Sequence, residues 1–325
     1  PDSPPPIMIP APVLSQACSL FGLPNNVQFF AKSHEHSRSE IWHTGNHLLK
    51  ITPICYKDEY LELSERIRFA RFLTSHGVPC QSFVRSLKGQ ELEIIANNED
   101  TYLCQCWLYI EAKKVVDAHP MELRTFYQEW AMLLARTHKL SKLYKSKHSV
   151  TWLDEWTQSY QMICDAEVKK CFRYLRDELS GRIAGTDNFG FIHNDAHPKN
   201  ILISEKGLCL IDFDRACRHF YIADIANAIY SEYSRIGFHS QHKDAFKLMP
   251  ELFLRPFINS YLAHYPLPQK DLEDIELFIL YRSIVMFGIF YQEILRYDPQ
   301  YLAVFRENII QRRHFLDVSL RDLIY

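Results

Sequence analysis

Between residues 27 and 53 short apolar-rich runs are separated by polar stretches, a pattern that suggests strands. Val27-Gln28-Phe29-Phe30, Glu40-Ile41-Trp42-His43 and His47-Leu48-Leu49-Lys50-Ile51 predict three strands, because successive side chains of an extended chain point to opposite faces. Thr44-Gly45-Asn46 predicts a tight turn between the last two. Residues 57–75 change period. Leu61, Ile67, Phe69, Ala70 and Leu73 among charged neighbours predict a helix, ended by His76-Gly77-Val78-Pro79. Two more strands are expected at 91–96 and 101–109, joined by Asn97-Asn98-Glu99-Asp100. Beyond Glu111 helical periods dominate, at 120–140, 154–180, 221–235, 243–264, 271–297 and 302–323. One strand-rich stretch, 189–213, interrupts them.

Strands first and helices second predict an α+β chain in two lobes. Residues 1–12 are half proline and are expected to be a tail outside the fold. Residues 13–110 would form the sheet lobe and 111–325 the helical lobe, with any ligand expected in the cleft between them. A formal net charge of -2 argues against a general attraction to nucleic acid or to anionic lipid. No apolar run reaches the roughly 20 residues a membrane span needs. The 9 cysteines lack metal-ligand spacing, and with no secretory pattern in view a reducing cytoplasm is the expected location.

The segment with the most chemistry begins at Phe191-Ile192. Two apolar runs, 191–192 and 201–203, flank the polar loop His193-Asn194-Asp195-Ala196-His197-Pro198-Lys199-Asn200, and a third, Leu208-Cys209-Leu210-Ile211, ends at Asp212. Asp195, Asn200 and Asp212 can therefore converge at one end of a hairpin. Magnesium prefers such hard oxygen ligands, one or two carboxylates together with substrate phosphates, and phosphoryl transfer needs that metal and a group that accepts the acceptor's proton.

The loop, followed by Ile211-Asp212-Phe213-Asp214, resembles the catalytic loop and metal-binding segment of the aminoglycoside phosphotransferase and choline kinase superfamily, distant relatives of the eukaryotic protein kinases. The resemblance runs from roughly residue 27 to 235. It implies a two-lobed protein-kinase-like fold, with an N-terminal antiparallel sheet lobe carrying one helix and a larger helical C-terminal lobe. It implies ATP and Mg2+ as cofactors, Asp195 as catalytic base, and Asn200 and Asp212 as metal ligands. Lys50 is similar to the strand lysine that contacts nucleotide phosphates. Its expected partner is a glutamate of the following helix, Glu65 in preference to Glu62 by distance from Gly77-Val78-Pro79. Residues 106–111 would be the hinge, with adenine read near Trp107 and Tyr109. Asp224-Ile225-Ala226 resembles a helix start whose aspartate hydrogen-bonds back toward the catalytic loop. Leu133-Leu134-Ala135-Arg136-Thr137-His138 resembles a helix ending in histidine, for which core packing is the expected role. His197 is open between a contact to phosphate or acceptor and a structural place in the loop. The phosphate-covering loop would fall within Lys32 to Ser39, which has no glycine; His34 and His36 there are expected to be solvated.

These features predict an ATP- and magnesium-dependent phosphotransferase acting on a hydroxyl or amine of a small molecule. The alternatives are a protein serine/threonine kinase of the stress-response type and a catalytically silent nucleotide-binding regulator. Tyr281, Phe287, Phe290, Tyr291 and Tyr297, with Arg282 and Arg296, ride a helix that could line the acceptor pocket. Acidic and basic residues nearly balance beyond Ile225, which does not favour a polycationic aminoglycoside.

Overall fold

A computed structural model describes residues 9–32, 38–56, 58–113, 115, 118–237 and 243–313. The chain divides into two compact units, with the boundary after Glu111.

The first unit is built on an antiparallel sheet. Its strands are β1 (Gln28–Lys32), β2 (Glu40–Thr44), β3 (His47–Pro53), β4 (Phe83–Val84), β5 (Leu92–Asn97) and β6 (Asp100–Leu108). They run in the order β1-β2-β3-β6-β4, with β5 also paired to β6. The two apolar runs around Thr44-Gly45-Asn46 become the β2–β3 hairpin, in register from Glu40 opposite Ile51 to Thr44 opposite His47. Helix α2 (Glu59–Ser75) follows, with Glu59 and Glu62 in its first turn, where negative charge complements the helix dipole. Gly77, at φ 82°, turns the chain out of the helix, and the Val78 amide donates to the Leu73 carbonyl at 3.0 Å.

A second helix was not foreseen. α1 (Ala11–Phe21) begins inside the stretch read as a proline-rich tail. Pro10 caps it and Pro12 sits in its first turn, a position that needs no backbone donor. Ile9, Val13, Leu14, Ala17, Cys18 and Phe21 are buried with Trp42, Leu49, Ile51, Cys104 and Cys106 on one face of the sheet. Residues 9–12 therefore belong to the fold, and the described residues of this unit carry two helices. Burying side chains such as Val13, Leu14 and Phe21 contributes about 1.5–3 kcal/mol each. On the other face Leu63 and Ile67 of α2 pack against Leu92 and Leu103.

The second unit is mainly helical. Its helices are α3 (Arg124–Ser141), α4 (Trp152–Met162), α5 (Ala166–Ser180), α6 (Ile222–Gly237), α7 (Arg255–His264), α8 (Gln269–Glu273), α9 (Ile275–Tyr297) and α10 (Pro299–Ile310). α3 packs on α7, and α9 packs on α4, α5, α6 and α10. The expected helix 154–180 is two, because Ile163 leaves the helical region and the Asp165 side chain caps α5 through the amides of Glu167 and Val168. The expected helix 243–264 opens with a 3-10 segment and a π-helical turn before α7. Residues 314–323 of the expected last helix lie outside the described residues. α9 is the one helix among the described residues long and apolar enough to cross a membrane, and 61% of its apolar window is buried inside the protein.

The described residues of this unit also form four short strands. β7 (Phe189–Ile192) pairs with β10 (Cys217–Phe220), and β8 (Ile201–Ser204) pairs with β9 (Gly207–Leu210). Gly190 is where β7 passes α3 and α6: a Cβ there would lie 2.5 Å from both Ser141 Oγ and Tyr221 Oη. Ser141 uses that proximity to donate to the Phe191 carbonyl at 2.7 Å. The strand entering the polar loop is thus fixed at its last turn.

Candidate active site

The loop 193–200 leaves β7 with Asn194 in the left-handed region, φ 61°, a conformation asparagine tolerates better than most residues. This turn aims two consecutive amides at one carboxylate. The His193 amide donates to Asp224 Oδ2 at 3.1 Å and the Asn194 amide to Asp224 Oδ1 at 2.7 Å. Asp224 is fully buried in the first turn of α6. Three residues along the same helix, Asn227 donates to the Asn194 carbonyl at 2.9 Å. α6 is apolar from Ile222 to Ile229 except at these two positions, so both polar side chains serve the loop.

His138 is the third donor to Asp224. Its Nε2 lies 3.0 Å from Asp224 Oδ2, its Nδ1 lies 2.6 Å from the Tyr261 hydroxyl, and its ring stacks on Tyr221. His138 is packed in the core as expected. Its position also ties α3 and α7 to the carboxylate that shapes the loop.

His193 connects the loop to the end of the third apolar run. Its Nδ1 accepts from the Asp195 amide at 3.3 Å and its Nε2 donates to the Ile211 carbonyl at 3.0 Å. The ring packs on Phe213. The Ile211 amide in turn donates to the Asn200 carbonyl at 3.0 Å. Asp212 follows at once, with φ 62°. Asp195, Asn200 and Asp212 are thereby held in one loop cluster.

Asp195 is about four-fifths shielded from solvent, and its two oxygens face different groups. Oδ2 accepts from Asn200 Nδ2 at 3.3 Å and lies 3.7 Å from His197 Nε2. Asn200 Nδ2 also donates to the Asp195 carbonyl at 3.0 Å, which turns the amide oxygen of Asn200 away from Asp195. Oδ1 is paired with the guanidinium of Arg282, from α9. Burial alone would raise the Asp195 pKa; His197, Arg282, Arg215 and His193 outweigh it and hold the carboxyl down at about 2. Burial lowers the His197 pKa, against the pull of Asp195. His197 Nδ1 accepts from the Lys199 amide at 3.1 Å, so this ring braces the loop while its other nitrogen faces the carboxylate.

Glu155, on α4, was not foreseen. It accepts from Asn194 Nδ2 at 2.9 Å, from Arg215 Nη2 at 2.7 Å and from the Tyr281 hydroxyl at 3.3 Å. Desolvation works to raise its pKa, but Arg215 and Arg282 hold it below the usual value.

The neighbouring His219 is buried against Trp152 and Tyr281. Its Nδ1 accepts from the Phe220 amide at 2.9 Å, and Nε2 has no hydrogen-bond partner among the described residues. Burial pushes its pKa down to about 4, against the opposing pull of Glu155 and Asp224. The unfolded chain, with an ordinary histidine pKa of about 6.5, binds a proton that the folded chain refuses. Stability is therefore complete above pH 6.5 and falls as the pH drops toward 4, by about 3 kcal/mol from this residue. His219→Gln, which keeps an acceptor for the Phe220 amide, is expected to lose less stability over that window in urea titrations. Equal losses in both proteins would remove His219 as the titrating group.

In the first unit the other expected residues fall as follows. Lys50 is 2% exposed. It pairs across to Gln105, which pairs to Leu92, and paired residues of antiparallel strands share a face. Lys50 is therefore on the α2 side of the sheet. On α2, Glu65 is fully buried and accepts from Arg68 at 2.7 Å. Glu62 is engaged by Arg66 at 3.3 Å and by the Tyr56 hydroxyl at 2.7 Å. Trp107 lies half-buried in β6 against Phe83. Tyr109 is exposed just beyond β6; its amide donates to the Asn46 carbonyl at 2.8 Å and its ring packs on His43. His34 and His36 lie outside the described residues.

The sequence profile of the phosphotransferase enzyme family matches residues 27–261. No curated protein matches the sequence. Solved structures share the fold. An amicoumacin kinase, hAmiN, in complex with AMP-PNP, Ca2+ and Ami has a TM-score of 0.81 at 22% identity, covering 96% of each chain. A microcompartment-associated aminopropanol kinase has a TM-score of 0.67 at 14% identity, covering 93% of this chain and 98% of its own. The choline kinase LicA from Streptococcus pneumoniae has 0.55 at 15%, covering 92% and 96%. The chain thus belongs to the phosphotransferase enzyme family, within the aminoglycoside phosphotransferase and choline kinase superfamily, and is a phosphotransferase.

Proposed function

We propose that this chain transfers the γ-phosphoryl group of ATP to a hydroxyl of a small molecule, with a divalent cation. The observation that carries the reading is the convergence of Asp195, Asn200 and Asp212 in one loop cluster held by Asp224. Asp195 accepts or orients the acceptor's proton. The amide oxygen of Asn200 and the carboxylate of Asp212 would hold Mg2+; hard oxygen donors of this kind suit that ion. The cation supplies charge neutralisation on the phosphates when bound. Lys50 contacts those phosphates, and buried Glu65 fixes its position. Trp107 and Tyr109 lie at the strand end where adenine would be read. That hAmiN has been seen with a nucleotide analogue and Ca2+ supports this reading. So does a neighbour that acts on aminopropanol. A protein acceptor has less support: between Asp212 and Asp224 the chain is taken up by a turn and β10, with no long activation segment.

The test is thermal melting with ATP, GTP and AMP, with and without magnesium, followed by a screen of ATP consumption against hydroxylated and amino metabolites. A nucleotide that binds only the folded state stabilises it by about 2.7 kcal/mol at a hundredfold excess over its Kd. Lys50→Ala and, more mildly, Glu65→Ala are expected to reduce that shift, while Glu62→Ala leaves it. No shift with any nucleoside triphosphate would sink the reading. Damage by Glu62→Ala with a neutral Glu65→Ala would move the partner of Lys50 by one helical turn.

A further inference from the structure

Arg282 is 7% exposed, yet its five N–H donors are poorly used. One nitrogen, Nη2, binds Asp195 Oδ1. Nε and Nη1 are both buried and have no hydrogen-bond partner among the described residues. A buried charged donor without an acceptor is costly, and an unsatisfied group of this kind in a folded protein calls for an explanation. A ligand that brings oxygens to those nitrogens supplies one.

The geometry says which ligand. The two oxygens of Asp195 separate two sides of the site. Oδ2 faces Asn200 and His197, the side assigned above to metal and phosphate. Oδ1 faces Arg282 on α9. The guanidinium also lies close enough to the Tyr230 hydroxyl on α6 to influence its ionisation. Arg282 therefore stands on the acceptor side of the base. The charges there do not favour a cation. Glu155 is committed to Arg215 at 2.7 Å and Asp195 to Arg282, so neither of these two carboxylates is left over to hold an ammonium group.

We propose that Arg282 is an acceptor-binding residue that takes a carboxylate of the substrate, placing a nearby hydroxyl of the same molecule at Asp195, so that the acceptor is a hydroxycarboxylate. A guanidinium suits a carboxylate because an ionised acceptor makes the stronger hydrogen bond, and either free nitrogen shares an edge of the planar group with the second N–H of Nη2, the first being used by Asp195. The proposal rests on the phosphotransfer reading of Asp195, and it adds the chemical class of the acceptor.

The experiment uses the full chain with ADP and magnesium. Melting is measured with matched probes: small hydroxycarboxylates such as glycerate and 3-hydroxybutyrate, their primary amides, and the corresponding amino alcohols. In the wild type the carboxylates are expected to stabilise more than the amides, and the amino alcohols least. In Arg282→Gln the nucleotide shift remains and carboxylate affinity falls by about 10- to 100-fold, the loss expected for one charge-assisted hydrogen bond or pair. Arg282→Lys keeps the charge and falls between. Equal responses to carboxylate and amide in the wild type, no response to any probe, or preference for the amino alcohols overturns the proposal, and this comparison stands even where Arg282→Gln fails to fold. A missing nucleotide shift would instead overturn the phosphotransfer reading.

Discussion

Asp195→Asn is expected to lower turnover by about 10² to 10⁴ while magnesium–ATP still binds, the range typical of a positioned general base. The substitution keeps the size of the side chain and an oxygen that can accept from Asn200 or Arg282. It removes the charge and the basicity. Asn200 and Asp212 are untouched, so the cation's ligands remain. Arg282 loses its counter-charge in a buried site, so some stability should go as well, and the comparison belongs well below the melting point of both proteins. Asp212→Asn is the contrasting variant and should lose metal-dependent nucleotide affinity and turnover together. Calorimetric ATP affinity set against turnover for each variant separates the two roles. Full turnover by Asp195→Asn would remove the base from this account.

The second large effect is on folding. Asp224→Asn should destabilise the protein by about 3 to 5 kcal/mol, since hydrogen bonds to a buried charge are each worth about 1.5–3 kcal/mol. The carboxylate accepts on both oxygens, from the His193 and Asn194 amides and from His138. An asparagine has one acceptor oxygen, and its NH2 would face an N–H donor whichever way it is placed. Urea unfolding measures the loss. The loop geometry should suffer before the fold does, so turnover measured well below the unfolding midpoint should fall too. A change in stability under about 1 kcal/mol would show that the loop is held by other contacts.

These residues also show what could be read from the chain. Asp195, Asn200 and Asp212 stood out because their spacing is local: one loop and one strand end carry all three. The β2–β3 hairpin stood out for the same reason, with an apolar run on each side of Thr44-Gly45-Asn46. α1 was hidden because Pro10 and Pro12 look like a tail until Ile9, Val13 and Phe21 are seen to cover the sheet. β10 was hidden because four residues, two of them polar, make too short a pattern. Glu155 could not be found by spacing, and neither could the contacts of His138 and Arg282, although both residues were named on their helices. Their partners lie 39, 86 and 87 residues away, and only the packing of α3, α4, α6 and α9 brings them together. A partial signal did exist on α6, where Asp224 and Asn227 are the two polar residues between Ile222 and Ile229, about two turns of helix.

The burial of Asp224 sets the timescale on which the catalytic loop can move. Loops that carry chemistry usually sit at the low end of local stability, opening many times before the protein unfolds. Here the amides of His193 and Asn194 end on a carboxylate inside α6, and that carboxylate is tied through His138 and Tyr261 to α3 and α7. To release its amide hydrogens to solvent, the loop must uncouple from three helices at once. The amides of His193 and Asn194 are expected to exchange with the helical core, and those of the hairpin tip at Glu205-Lys206, exposed and outside that network, much faster. The base is thus presented on a loop tied to the helical core, and the motions that admit an acceptor are expected from side chains or from other segments.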